Sequence, residues 1–146
     1  MIYETERKTE IPNSLPLLLT VEEQIETLLK KELSKIQVLN GNVYPLAVPE
    51  SVPAPYIAYV QAGGEYGRDL QGYDGTRSCD YEINILSAKY SQLKLIEKNV
   101  FTVLKSFIGM NLSESTIQDI LINVPVEGYE EAVKLQRANI QFTVYF

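Results

Sequence analysis

Two hydrophobic rhythms alternate along the chain, one with the 3.6-residue period of a helix and one with the two-residue period of a strand. The first helical stretch begins at Thr20. Val21, Ile25, Leu28, Leu29, Leu33 and Ile36 recur at helical spacing and define one apolar face. Thr20 and Glu23 have capping-box spacing, so each can satisfy a backbone donor of the first turn. Asn40-Gly41 supplies the stop, because both residues tolerate a left-handed backbone. A second helix, capped by Ser87 or Ser91, carries Leu93, Ile96, Val100, Val103, Leu104 and Phe107 on one face and ends at Gly109.

The strand rhythm occupies the intervals. Val43 to Pro55 holds four prolines, which fix φ and remove ladder donors, so this stretch should be extended without being a central strand throughout. Tyr56 to Gln61 is rich in aromatic and β-branched residues and predicts a strand. Thr76 to Leu86 alternates: Arg77, Cys79, Tyr81, Ile83 and Ile85 face one way, and Ser78, Asp80, Glu82 and Asn84 the other. Ile120, Ile122, Val124 and Val126 mark a further strand. A turn near Glu127-Gly128-Tyr129 then leads to the last one, where Ala138, Ile140, Phe142, Val144 and Phe146 share a face. Val133 and Leu135 have the opposite parity, which predicts a bulge near Gln136-Arg137. The expected order is α-β-β-β-α-β-β, an α+β fold with two helices on one face of a mainly antiparallel sheet. Residues 20–146 form one domain in this reading. Residues 1–19, with Pro12 and Pro16, form an N-terminal arm, either a disordered terminus or a strap that orders on a neighbouring subunit.

Composition narrows the chemistry. The 146 residues are 45% apolar and 22% charged, ordinary values for a globular protein. No apolar run approaches the ~20 residues of a membrane span, and the charged opening Met1 to Lys8 is unlike a signal-peptide core. The cytoplasm is the default expectation. There is no histidine, which removes the commonest general base and zinc ligand. The single cysteine, Cys79, reads as a buried hydrophobe. A net charge of -6, with no basic cluster beyond Lys30-Lys31, disfavours tight nucleic-acid binding.

The glycine-rich segment Ala62 to Gly75 reads as a long loop, with glycines at 63, 64, 67, 72 and 75. It lacks the P-loop pattern and does not precede a helix, so it is a poor phosphate cradle. Glu65, Asp69 and Asp74 could be imagined as paired carboxylates for glycoside hydrolysis, but a flexible glycine loop is a poor scaffold for the fixed separation which that reaction needs. EF-hand spacing is absent, and no metal or cofactor is expected. Ordering the loop's backbone costs on the order of 15 kcal/mol in total. A neighbouring subunit could offset that through Tyr66, Arg68 and Tyr73, because aromatics and arginine favour interface cores. Glu65, Tyr66, Arg68, Asp69, Tyr73, Asp74 and Arg77 are therefore the subunit-interface candidates, the alternative being a loop that stays mobile. Asn111-Leu112-Ser113 matches a glycosylation sequon and is taken as chance.

The chain resembles the tail-completion proteins of tailed phages and prophages, the tail terminators and tail-to-head joining proteins. Three features carry the resemblance across Val21 to Phe146. The first is an amphipathic helix running into Asn42-Val43-Tyr44-Pro45, a proline-rich stretch and Pro55-Tyr56-Ile57-Ala58-Tyr59. The second is the glycine-containing segment before Tyr81-Glu82-Ile83-Asn84-Ile85, Ser87 and a helix. The third is the terminal strand Ala138-Asn139-Ile140-Gln141-Phe142-Thr143-Val144. Residues 1–19 look like an addition to the family pattern. The resemblance implies a non-enzymatic subunit forming a ring, commonly a hexamer, in the virion tail or in the host cytoplasm during assembly. Its partners would be its own copies, the tail tube protein and a head or neck connector. DNA would pass through the lumen without tight binding, and acids lining that channel would suit the passage. The rival readings are a neck or head-completion protein, a monomeric acidic module that binds a basic protein, and a carboxylate-dependent hydrolase.

Overall fold

The computed structural model describes residues 20–146; the expected arm, 1–19, lies outside the described residues. Helix α1 spans Val21–Leu33 and opens with the expected capping box, in which the Thr20 hydroxyl accepts from the Glu23 N–H and the Glu23 carboxylate accepts from the Thr20 N–H. Such a cap contributes about 1 kcal/mol. The α-helix ends earlier than the apolar periodicity suggests, and Gln37–Leu39 form a short 3₁₀ turn instead. The stop itself falls where expected, with Asn40 at φ 50° and Gly41 at φ 76°.

Six strands follow among the described residues: β1 (Val43–Pro45), β2 (Tyr56–Asp69), β3 (Gly72–Ser87), β4 (Asp119–Ile122), β5 (Val126–Glu130) and β6 (Leu135–Tyr145), with helix α2 (Tyr90–Ser106) between β3 and β4. They make one sheet of order β1-β2-β3-β6-β4, and β5 also pairs with β6. Only the β1–β2 pairing is parallel. The fold is therefore α+β with a mainly antiparallel sheet, in the expected order but with an additional strand, β5, after α2. The proline-rich segment contributes only the three-residue edge strand β1, because proline cannot donate to a ladder.

The core lies on one sheet face. Ile57, Tyr59, Cys79, Tyr81, Ile83, Ile85, Ala138, Ile140, Phe142 and Val144 are buried there beneath Ile25, Leu29 and Leu33 of α1 and Leu93, Ile96, Val100 and Leu104 of α2. Tyr81 and Phe142 stack with ring centroids 5.4 Å apart, an arrangement that contributes about 0.5–1.5 kcal/mol beyond burial. Cys79 is buried and free, and burial holds its thiol pKa above the ordinary value. The opposite face is polar. Thr143 donates to Asp80 at 2.7 Å, and the Asn139 amide donates to Glu82 at 3.0 Å and to Asn84 at 2.9 Å.

Four local expectations are corrected. The segment Ala62 to Gly75 is not a loop: β2 and β3 continue through it as a hairpin closed at Asp69–Gly72. No bulge occurs near Gln136-Arg137, because the β3–β6 register is continuous from Ser87–Gln136 to Ser78–Tyr145; Val133 is out of phase because it lies in the turn before β6. Glu127-Gly128-Tyr129 belong to β5, and the turn comes after Glu130. Helix α2 starts after Lys89 without a side-chain cap, and Ser87 instead donates to Gln92 Oε1 at 2.6 Å and accepts from the Lys89 N–H.

Candidate interaction surface

The β2–β3 hairpin owes its shape to two register shifts. Gln61 pairs with Tyr81, but Gly63 already pairs with Asp80, so Ala62 is an extra residue in β2. One inserted residue exchanges the faces of a strand. Before the shift Ile57 and Tyr59 point into the core; after it Gly64, Tyr66 and Arg68 take the helix side. A side chain at Gly64 would run into the Ser78 carbonyl oxygen and lie 3.1 Å from the Cys79 Cα, so the two strands can close only around glycine. The second shift lies between the pairs Tyr66–Arg77 and Arg68–Tyr73, where Asp74, Gly75 and Thr76 stand opposite Gly67 alone.

Beyond Ser78, β3 no longer pairs with β6, so the hairpin projects from the sheet as a two-stranded ribbon. The ribbon presents a ladder of rings and guanidinium groups. Arg77 lies over the Tyr66 ring at 5.0 Å, Tyr66 meets Tyr73 edge-on at 6.4 Å, and Arg68 lies over Tyr73 at 4.8 Å. Each cation–π contact at an exposed site contributes about 0.5–1 kcal/mol. Arg77 ties the ladder to the body of the molecule through an ion pair with Glu22 of α1. The structure thus brings Tyr66, Arg68, Tyr73 and Arg77 together.

The acidic candidates are elsewhere. Asp69 accepts from the Gln71 N–H at 2.8 Å and holds the hairpin tip. Asp74 accepts from both the N–H and the hydroxyl of Thr76, at 3.0 and 2.7 Å, and the hydroxyl bond foremost lowers its pKa. These bonds fold the chain around Gly75, whose φ of 88° suits glycine. Glu65 pairs in register with Ser78 and stands outside the ladder. Asp69 and Asp74 each serve a local turn.

Apolar surface is left uncovered along the ribbon. Tyr66 and Tyr73 are 66% and 73% exposed, and Leu70 at the tip is fully exposed. A two-stranded ribbon is marginal in water by itself, so its ladder and its anchor at Arg77–Glu22 carry its order.

A second surface was not singled out from the sequence. The outer edge of β6 is covered by β4 and β5 in tandem, and Asn123, Val124 and Pro125 interrupt them. Ile122 pairs with Phe142 and Val126 with Asn139, so three residues oppose two and the faces are exchanged again. Val126 consequently points away from the core, and Glu127 turns toward α2. There it accepts from the Tyr90 hydroxyl at 2.8 Å and pairs with Lys94 at 2.7 Å. Lys94 also pairs with the buried Glu97 at 3.0 Å. Burial foremost raises the Glu97 pKa, while bonds from Glu97, Lys94 and Tyr90 lower that of Glu127 to about 2. Beside this acid pair is an open groove of about 390 Å³ lined by Phe101, Ile122, Val124, Pro125 and Ile140, with Lys98 at its rim. Two signals pointed here: Glu97 interrupts the apolar stripe of α2, and Pro125 interrupts the alternation after Ile122.

Among the described residues, no three side chains form a metal-binding group, and no helix is long and apolar enough to cross a membrane. The described surface thus presents exposed rings on a projecting ribbon and an apolar groove at the far edge of the sheet.

Among the described residues these features define an α+β fold with two helices on one face of a six-stranded, mainly antiparallel sheet. No protein-family model matches the chain, and no curated protein matches it by sequence. Among solved structures, it is similar to a chain in the virion of a native gene transfer agent (GTA) particle, with 16% sequence identity and a TM-score of 0.55. The likeness covers 91% of this chain and 97% of that one. At that identity it establishes a common fold.

Proposed function

We propose that the chain is a structural subunit of a phage-like particle. It assembles into a ring that terminates the tail tube and joins it to the head or neck, and it carries out no chemistry of its own. The observation that carries this reading is the projecting hairpin, whose rings and tip leucine are exposed on the single chain but suited to burial by a neighbour. The fold shared with a virion chain over nearly the whole of both molecules supports the same reading. Asp80 and Glu82 on the open sheet face would repel a passing polyanion, which favours that face for a channel wall.

Sedimentation velocity over a range of concentrations, with and without tail tube protein, tests the proposal. The expected result is a discrete ring-sized species whose population rises with concentration or on addition of the tube. A single monomeric boundary in every condition would overturn it.

A further inference from the structure

We infer that the hairpin tip of one copy, Arg68-Asp69-Leu70, docks into the groove between α2 and the β4–β5 interruption of the next copy. This inference rests on the ring reading and specifies its contact. Both halves of the contact are present on one chain. Leu70 is fully exposed at the end of the ribbon. The groove is lined by Phe101, Ile122, Val124 and Pro125, and Val124 is 85% exposed and Phe101 47% exposed on the single chain. An apolar knob and an apolar groove of this kind bury each other's surface.

Charge is complementary in the same register. Next to the groove, Glu97 is only 7% exposed, and Lys94 is the one cation paired with it among the described residues. A buried carboxyl gains from a further incoming donor. Arg68, two residues before Leu70, brings guanidinium N–H donors to that carboxyl and favours its charged form. Lys98 at the rim is exposed and forms no ion pair among the described residues, and Asp69 arrives beside it. The ribbon is built from β2 and β3, whereas the groove lies beyond β6 at the other side of the sheet. Knob and groove are therefore distinct surfaces, and their contact is head-to-tail. A head-to-tail contact propagates from copy to copy and closes when the rotation permits.

Paired cysteines test the contact. The variant carrying both Leu70→Cys and Val124→Cys is oxidised under assembly conditions, with each single variant as control; Cys79 is buried in all of them. The expected result is a ladder of covalent oligomers from the double variant and at most dimers from the single ones. A second measurement mixes Leu70→Asp subunits with Val124→Asp subunits. Each retains one intact surface, so the mixture should form a heterodimer at concentrations where neither variant alone associates. Leu70→Asp alone should raise the concentration for half-assembly about tenfold or more. Rings that form without a cysteine ladder, or that survive Leu70→Asp, would overturn this contact while leaving the ring reading standing. Wild-type protein that stays monomeric with and without tube protein would overturn both.

Discussion

Glu97 shows how much one side chain can reveal. It occupies a helical position between Leu93 and Val100, where the pattern calls for an apolar residue, and it is buried. Lys94 pairs with it, yet burial still favours the protonated acid, because desolvation penalises charge. The consequence for stability has a definite sign. A carboxyl whose folded pKa is raised contributes stability that is fully present below its unfolded value near 4.5 and is lost as pH rises through the folded value. Glu97→Gln keeps the shape and removes the titration. The thermal midpoint of this variant should therefore gain on the wild type as the pH is raised from about 4 to about 8. A constant difference across that range would mean that the Glu97 carboxyl has the same pKa folded and unfolded. Glu127 behaves oppositely: its lowered pKa makes its contribution vanish as pH falls from the ordinary carboxyl range toward about 2.

At the scale of elements, the helices and core strands were legible because each keeps a single period over its length. The capping box at Thr20, the apolar face of α1 and the alternation from Cys79 to Ile85 all appear where the pattern places them. Legibility failed where a residue was inserted. Ala62 and the Asn123–Pro125 interruption each exchange the faces of a strand, and a periodicity argument that assumes a fixed phase cannot follow them. The glycines of the hairpin mislead for a related reason. Glycine is depleted in strands, so a cluster suggests a loop; here Gly64 permits close strand approach instead. Of the candidate site, Tyr66, Arg68, Tyr73 and Arg77 converge, while the groove residues went unseen because they join α2 to strands far along the chain. Gly64→Val should separate the strands where the ribbon leaves the sheet and lower stability by about 1–3 kcal/mol. Chemical denaturation measures the loss, and amide exchange should show it concentrated in residues 63–78. Uniform protection with unchanged stability would contradict this geometry.

For the whole molecule, the division of labour is between a body that holds its own core and a ribbon that contributes little to it. No residue between Gly63 and Arg77 belongs to the buried core. Replacing residues 65–77 by a tight turn should therefore leave the fold and most of the thermal stability intact. The same variant should fail to assemble, since it lacks the ladder and the tip. Far-ultraviolet circular dichroism and sedimentation of the same sample separate the two effects. Loss of folding would assign the ribbon a structural role, and retained assembly would remove it from the interface.

The interruption between β4 and β5 also bears on how this protein avoids unwanted company. A sheet grows by offering the next chain an unbroken row of backbone donors and acceptors. On the β6 side that row is cut: Pro125 has no N–H to offer, and the extra residue beside it throws the following groups out of step. Crowded copies are thereby denied an easy route to fibre-like stacking along this border, and side chains, which can discriminate between partners, must do the recognising there.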